Sequence, residues 1–234
     1  MTIPFQKGRY RVRFAAGTDD LQACQGLRHH CFFGVPGFDA DAFDVAARHV
    51  MVEEAEGRLV ATMRLSFGPA GYAAQFYDLT GLAALNVPML EVGRFCIAPD
   101  VQDADILRVI WGALTAFVDA HQVQFLFGCT SFAGTDPSVY GRTLAMLARR
   151  AAPDALRPAA RGAAKALTDC PSTGTAPLPP LLRTYLAMGG WVGPDLVIDH
   201  AMGTMHVFTC VEVAKVPSAR ARALRTLAQA TALT

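Results

Sequence analysis

Three adjoining segments near the middle of the chain narrow its fold more than any other feature. LEVGRFCI, at about 90–98, and VQFLFGCTSF, at 123–132, are short apolar runs of strand length. Between them, ILRVIWGALTAFVDAH at 106–121 reads as a helix, with Asp103 or Asp105 as its cap. The alternation continues on both sides. RYRVRF at 9–14 predicts a first strand, 18–33 a helix capped by Thr18, and 49–67 a hairpin turning at Glu56-Gly57. Asp136-Pro137 opens a helix that runs to about Arg150, with an acceptor at the cap and proline at the first position. A short helix at 178–190 ends at glycine, DLVIDH and MHVFTCVEV are late strands, and Ser218 caps a terminal helix. Strands alternating with helices, plus an early hairpin, predict a mixed α/β sheet in one domain over 1–234. Residues 152–180, rich in Pro, Ala and Gly, read as a long loop or lid.

Bulk composition excludes several classes. Apolar residues make up 52% and charged residues 18%, against about 45–50% and 25% in ordinary globular chains, so the chain buries a large core. A net charge of +1 provides no bulk attraction for nucleic acid. No apolar run approaches the roughly 20 residues that span a bilayer. The start, MTIPFQKGRYRVRF, lacks an apolar signal core, so a cytoplasmic location is expected. The six cysteines form no C-x-x-C pair and mostly fall in apolar segments, which favours buried, reduced thiols. The histidines show no ligand spacing, and no metal is expected.

One apolar strand carries charge. LEVGRFCI holds Glu91 and Arg94 three residues apart, and in a regular strand such residues face opposite sides. They share a side only if the strand bulges between them, and Gly93 is suited to a bulge.

Further motifs carry a family resemblance. LRHHCF supplies Arg28 and Phe32, DAFD supplies Asp41 and Asp44, ATMRL supplies Arg64, and EVGR supplies Glu91 and Arg94. Their order resembles that of the acyl-homoserine-lactone synthases and of the N-acyltransferases that make lyso-ornithine lipid. Both groups have the GNAT acyltransferase fold. LFGCTSFAGTDP and LPPLLRTYLAMGGWVGPDLVIDH are similar to segments of the second group, and the resemblance covers roughly 9–213. It implies a single-domain GNAT-like fold with a mixed, mostly antiparallel central sheet flanked by helices. It also implies transfer of a fatty acyl chain, usually 3-hydroxylated, from acyl carrier protein to the α-amine of an amino acid. Ornithine is the first expectation for the acceptor, with glutamine or another amino acid open. The product is a lyso-aminolipid. No cofactor is implied beyond the phosphopantetheine of the acyl carrier protein co-substrate.

This chemistry needs a base for the ammonium, a positioned thioester and donors for a tetrahedral oxyanion. Glu91 is the candidate base, with Arg94 as its catalytic neighbour; the alternative is a structural Glu91–Arg94 pair. The oxyanion donor is expected among the backbone N–H groups of Arg94, Phe95, Cys96 and Ile97, because GNAT folds bulge there. Arg28 and Arg64 bind the amino-acid carboxylate or brace the acidic loop. Asp41 and Asp44 hold a substrate's cationic end or pair with those arginines, and Phe32 is a substrate wall or core. Cys129, Ser131 and Tyr140 are weaker candidates, as nucleophiles and as a general acid for the departing thiolate.

CoA-dependent GNAT enzymes cradle pyrophosphate on an R/Q-x-x-G-x-G/A loop. Here the corresponding PDVQDADIL keeps Gln102 but lacks both glycines and adds Asp103 and Asp105, which favours a carrier-protein donor. Carrier proteins are acidic, and Arg149, Arg150, Arg157 and Arg161 lie in the densest basic cluster, the expected docking patch. The same cluster suits peripheral contact with the inner membrane face. Two other readings stay open: an acyl-homoserine-lactone synthase, and a non-catalytic protein that binds acyl chains or carrier protein.

Overall fold

The computed structural model describes residues 3–54 and 56–229. A first hairpin, β1 (Phe5–Lys7) and β2 (Tyr10–Phe14), leads into helix α1 (Thr18–Phe33). Strands β3 (Arg48–Glu53) and β4 (Leu59–Phe67) form the second hairpin. A short strand β5 (Tyr77–Asp78) and helix α2 (Thr80–Ala83) precede β6 (Met89–Ile97), helix α3 (Ala104–Ala120) and β7 (Phe125–Ala133). Then follow α4 (Gly141–Leu147), the short strands β8 (Ala159–Ala160) and β9 (Ala164–Ala166), and α5 (Pro180–Ala187). The chain ends in β10 (Trp191–Asp199), β11 (Thr204–Glu212) and α6 (Ser218–Gln229). This is a mixed α/β fold: β1–β2, β2–β3, β3–β4, β5–β8, β7–β11, β10–β11 and β9–β10 pair antiparallel, and β6–β7 pairs in parallel.

The chain divides into two compact units. Unit 1 holds residues 1–67, 92–123 and 218–234. Its strands follow the order β1-β2-β3-β4-β6, with α1 packed on β3 and β4, α3 on β2, and α6 on α3. The local chemistry sets these helices. Helix α1 is capped by Gly17, at φ 99°, rather than by Thr18, which is already its first helical residue. Asp19 and Asp20 occupy the first turn, where the helix dipole favours negative charge. Gly34, at φ 73°, ends the helix in the left-handed conformation that glycine adopts freely. Helix α3 is capped by Asp103, whose carboxylate accepts the Asp105 N–H at 2.9 Å. Ile106, Ile110, Ala113, Leu114 and Phe117 line its buried stripe at helical spacing.

Unit 2 holds residues 68–91 and 124–217. The start of β6 pairs in parallel with β7, in register Met89↔Phe125 to Glu91↔Phe127. Strand β11 lies between β7 and β10, and β9 edges β10. Side chains of β11 alternate between two cores. Phe208 and Cys210 enter one with Phe127 and Trp191; Met205 and Val207 enter the other with Leu144 and Leu182. Burial on both faces explains the near-continuous apolar run of this strand.

The Pro/Ala-rich segment 152–180, expected as a loop or lid, is pinned along its length. Strand β8 pairs with β5 and β9 with β10. Further on, Arg142 N–H donates to Gly174 O at 2.9 Å and Thr143 Oγ1 to Ala176 O at 2.8 Å. Gly174 itself lies so close to the Ser138 and Val139 carbonyls that a Cβ would collide with them.

Candidate active site

In unit 1, charged residues from separate elements converge. Arg28 stands on α1, Arg64 on β4, Arg94 on β6, and Asp39, Asp41 and Asp44 on the loop after α1. Arg28 is only 1% exposed. Its Nη2 lies 2.7 Å from Asp44 Oδ2 and its Nε 2.9 Å from Asp39 Oδ2. Arg64 Nη1 lies 2.8 Å from Asp44 Oδ1 and 2.5 Å from Asp41 Oδ1. Arg94 Nε lies 3.0 Å from Asp39 Oδ2 and its Nη2 3.5 Å from Asp41 Oδ2. Three guanidiniums thus meet three carboxylates, which neutralises the buried charge and folds the acidic loop back on the sheet. Phe32 lies under the Arg94 guanidinium, with its ring centroid 5.9 Å away.

The surroundings fix the protonation states. Burial pushes the Asp44 carboxyl up, but hydrogen bonds from Arg28, Gln25 and Arg64 outweigh it and hold the group well below the usual carboxylate range. His49, which sequence reasoning passed over, belongs to this cluster. Its Nε2 faces the Asp44 carbonyl at 3.0 Å, and a carbonyl only accepts, so Nε2 carries the proton. Nδ1 is then the acceptor facing Arg28 Nη1 at 3.4 Å. Burial pushes the imidazole pKa down, consistent with a neutral ring.

The departure from regular strand geometry in β6 falls one residue later than expected. Arg94, not Gly93, has the positive φ, at 51°. For a side chain with a Cβ this conformation costs on the order of 1–2 kcal/mol. The ion pairs of the guanidinium with Asp39 and Asp41 offset that cost. Cys96 is buried, and Phe95 and Ile97 are half-buried. The Cys31 thiol donates to the Ile97 carbonyl at 3.4 Å and also contacts Cys96.

Glu91 takes its contacts in unit 2. It is 4% exposed, and the Ala73 N–H donates to its Oε1 at 2.8 Å. Ala73 lies in a 3-10 turn, Tyr72–Gln75, that follows Gly71. A Cβ on Gly71 would run into Glu91 Oε2, so a larger residue there would require the carboxylate to shift. The β-register extends this face of the sheet. Glu91 is level with Phe127, alternation brings Cys129 and Ser131 to the same side of β7, and Phe208 and His206 oppose those two on β11. Val197 opposes His206, so Asp199, two residues on, shares the face.

Two further polar pairs stand there. Tyr72 Oη lies 3.4 Å from Asp199 Oδ2, and Tyr77 Oη lies 3.1 Å from His206 Nδ1 and 3.0 Å from the His206 carbonyl. Burial pushes the His206 imidazole down to about 4. Asp199 and His206 left the same trace in the sequence as Glu91, a polar residue in an apolar strand, and that signal is how they were open to detection.

Residues 27–112 match the model of the acetyltransferase (GNAT) domain. The L-ornithine N(alpha)-acyltransferase of Rhodobacter capsulatus is 32% identical over 233 residues, spanning 87% of this chain and 90% of the relative. The chain belongs to the L-ornithine N(alpha)-acyltransferase family. The family's protein from Brucella abortus is 28% identical and covers 90% of this chain and 87% of its own length. Among solved structures, FeeM, an N-acyl amino acid synthase from uncultured soil microbes, superposes with a TM-score of 0.55 at 12% identity. It covers 94% of this chain and 97% of its own. TofI in an apo form gives a TM-score of 0.54 at 13% identity, over 94% and 99%. At such identities these two structures show the shared GNAT-type fold.

The N-terminus of α3 already carries a carboxylate. Asp103 caps it, and that carboxylate is held by Arg9 Nη2 at 3.0 Å and by the Tyr10 hydroxyl at 2.9 Å. The residues here do not fit a pyrophosphate group. The four arginines of the expected docking patch are all exposed. Arg157 pairs with Asp154, and Arg161 lies 3.5 Å from Asp78. Arg149 and Arg150 end the helical stretch after α4. Tyr140 packs edge-on against Phe132 with centroids 5.0 Å apart. Among the described residues no helix is long and apolar enough to cross a membrane, and no His, Cys, Asp and Glu group is arranged to hold a metal.

Proposed function

We propose that this acyltransferase moves a fatty acyl chain, usually 3-hydroxylated, from the phosphopantetheine thioester of an acidic acyl carrier protein to the α-amine of ornithine, forming a lyso-aminolipid. The observation that carries the reading is the buried Glu91 carboxylate on β6, which accepts the Ala73 N–H. In this mechanism the carboxylate takes a proton from the substrate ammonium. The freed amine attacks the thioester carbonyl, and the oxyanion forms against backbone N–H groups of β6 within Phe95, Cys96 and Ile97; on collapse the C–S bond breaks, and the second proton shed by the nitrogen passes to the departing sulfur, which leaves as the thiol. Arg94 supports the same strand through Asp39 and Asp41. Arg28 and Arg64 hold the acidic loop of unit 1 through Asp39 and Asp44.

The self-capped α3 and the absence of the pyrophosphate glycines support a carrier-protein donor over CoA. Arg149, Arg150, Arg157 and Arg161 are the proposed docking patch for that acidic partner. The protein acts in the cytoplasm, with peripheral contact to the inner membrane that receives the lipid product. The names of the relatives support ornithine as acceptor over glutamine. Expression in a bacterium that makes no aminolipid, followed by lipid mass spectrometry, tests this. An N-acyl-ornithine is the expected new species. An acyl lactone instead would move the assignment to a homoserine-lactone synthase, and no new acylated product would sink the enzymatic reading.

A further inference from the structure

Two buried acids in this protein are matched to arginine: Asp44 to Arg28 and Arg64, and Glu53 to Arg13. Asp199 is different. It is 8% exposed, and among the described residues no arginine or lysine pairs with it. Its recorded partners are the Met202 N–H, 3.1 Å from Oδ1, and the Tyr72 hydroxyl, 3.4 Å from Oδ2. A buried carboxylate with only neutral donors is costly, and a ligand cation relieves that cost.

A second, independent feature stands beside it. His206 is 2% exposed, and its Nε2 has no hydrogen-bond partner. The ring's other nitrogen defines what that atom offers. The Tyr77 hydroxyl lies near two carbonyls, those of His206 at 3.0 Å and Asp195 at 3.4 Å, and carbonyls only accept. The tyrosine proton therefore goes to a carbonyl, and His206 Nδ1–H donates to Tyr77 Oη at 3.1 Å. Nε2 is left as a bare acceptor. Asp199 and His206 are diagonal neighbours on one face of β10 and β11. The face thus presents a carboxylate, a bare imidazole nitrogen and the oxygen of a tyrosine that donates its own proton to the carboxylate. Three acceptors match the three N–H bonds of a primary ammonium.

Resting on the reaction proposed above, we infer that Asp199, Tyr72 and His206 form the subsite for the side-chain ammonium of the acceptor amino acid. Tyr72 and Ala73 are adjacent in the 3-10 turn; one is tied to Asp199 and the other to Glu91. One turn of backbone therefore sets both carboxylates, as a diamino acid with two amines on a short methylene chain requires. The acidic loop of unit 1 does not offer this, because Asp39, Asp41 and Asp44 are engaged by arginine.

The test is acylation by the purified protein with an acyl carrier protein thioester. Ornithine competes with norleucine, its isostere with methyl in place of ammonium, and with glutamine. Wild type is expected to prefer ornithine over norleucine by about 100-fold or more in kcat/KM. Asp199→Asn should collapse that preference to near unity through the KM for ornithine, with norleucine turnover retained. Tyr72→Phe, at a half-buried site, should reduce the preference about tenfold, and it decides the matter if Asp199→Asn does not fold. Wild type acylating norleucine as readily as ornithine, or Asp199→Asn and Tyr72→Phe keeping the wild-type preference, would overturn the subsite alone. Wild type acylating no amino acid would overturn the reaction and the subsite together.

Discussion

A carboxylate buried in an apolar strand costs several kcal/mol unless the fold compensates it. For Glu91 part of that compensation is the Ala73 N–H, delivered by the turn that follows Gly71. That bond orients the carboxylate that the proposed mechanism uses as its base. Glu91→Gln keeps size and shape and should lower kcat by about 100- to 10,000-fold, with ornithine affinity little changed. Steady-state kinetics and calorimetric binding check this, and a variant turning over at the wild-type rate would remove Glu91 from the chemistry. Legibility at this scale was uneven. Glu91 stood out because charge in an apolar run is a local anomaly. His49 did not, because its role depends on Asp44 and Arg28 reaching it from other elements.

Between α1 and β3, the acidic loop owes its shape to ion pairs rather than to turn chemistry. Asp44 is the hub, bonded by Arg28, Arg64 and Gln25. Removing it leaves two buried guanidiniums short of a partner. Asp44→Ala should therefore destabilise unit 1 by about 3–5 kcal/mol, read as a lower urea midpoint with an unchanged m-value. A loss under about 1 kcal/mol would mean that the cluster relaxes onto solvent. Helix boundaries show what local rules miss. Thr18 has the chemistry of a cap, but Gly17, in the left-handed region, already turns the chain into α1. Likewise Gly93 was the natural place for a break in β6. The positive φ sits at Arg94, whose guanidinium is paired with Asp39 and Asp41.

For the molecule as a whole, stability and partner binding carry separate electrostatic signatures. His206 titrates near 6.5 when unfolded and, because burial disfavours its charged form, near about 4 when folded. Between these values the unfolded chain binds the proton more tightly, so stability is full above about pH 6.5 and falls as pH drops towards 4. Asp20, lowered to about 2 chiefly by its hydrogen bond with Arg13, adds a second loss below about pH 4. Calorimetry should show Tm declining from pH 7 to pH 5, and His206→Gln should make that limb shallower, with buried His49 keeping part of it, while leaving the more acidic one. Docking has a different test. If Arg149 and Arg150 attract an acidic carrier protein, Arg149→Ala/Arg150→Ala should raise KM for the acyl carrier protein about three- to tenfold and weaken its salt dependence. Turnover of a small thioester donor should be unchanged. Equal KM values with and without the two arginines would place the docking patch elsewhere.

The order of the longer elements, the core strands and the identity of the charged candidates were determined by the sequence alone. Periodicity, cap chemistry and the positions of Glu91, Arg28 and Arg64 are local facts, written within a few residues of each other. Only the tertiary structure decided who pairs with whom: that three arginines meet three aspartates in unit 1, and that Asp199 and His206 stand together in unit 2 without a cation. The physical reason is range. Hydrogen bonds and ion pairs act over a few ångströms between residues tens to more than a hundred positions apart, and no local pattern records which ones the folded sheet brings face to face.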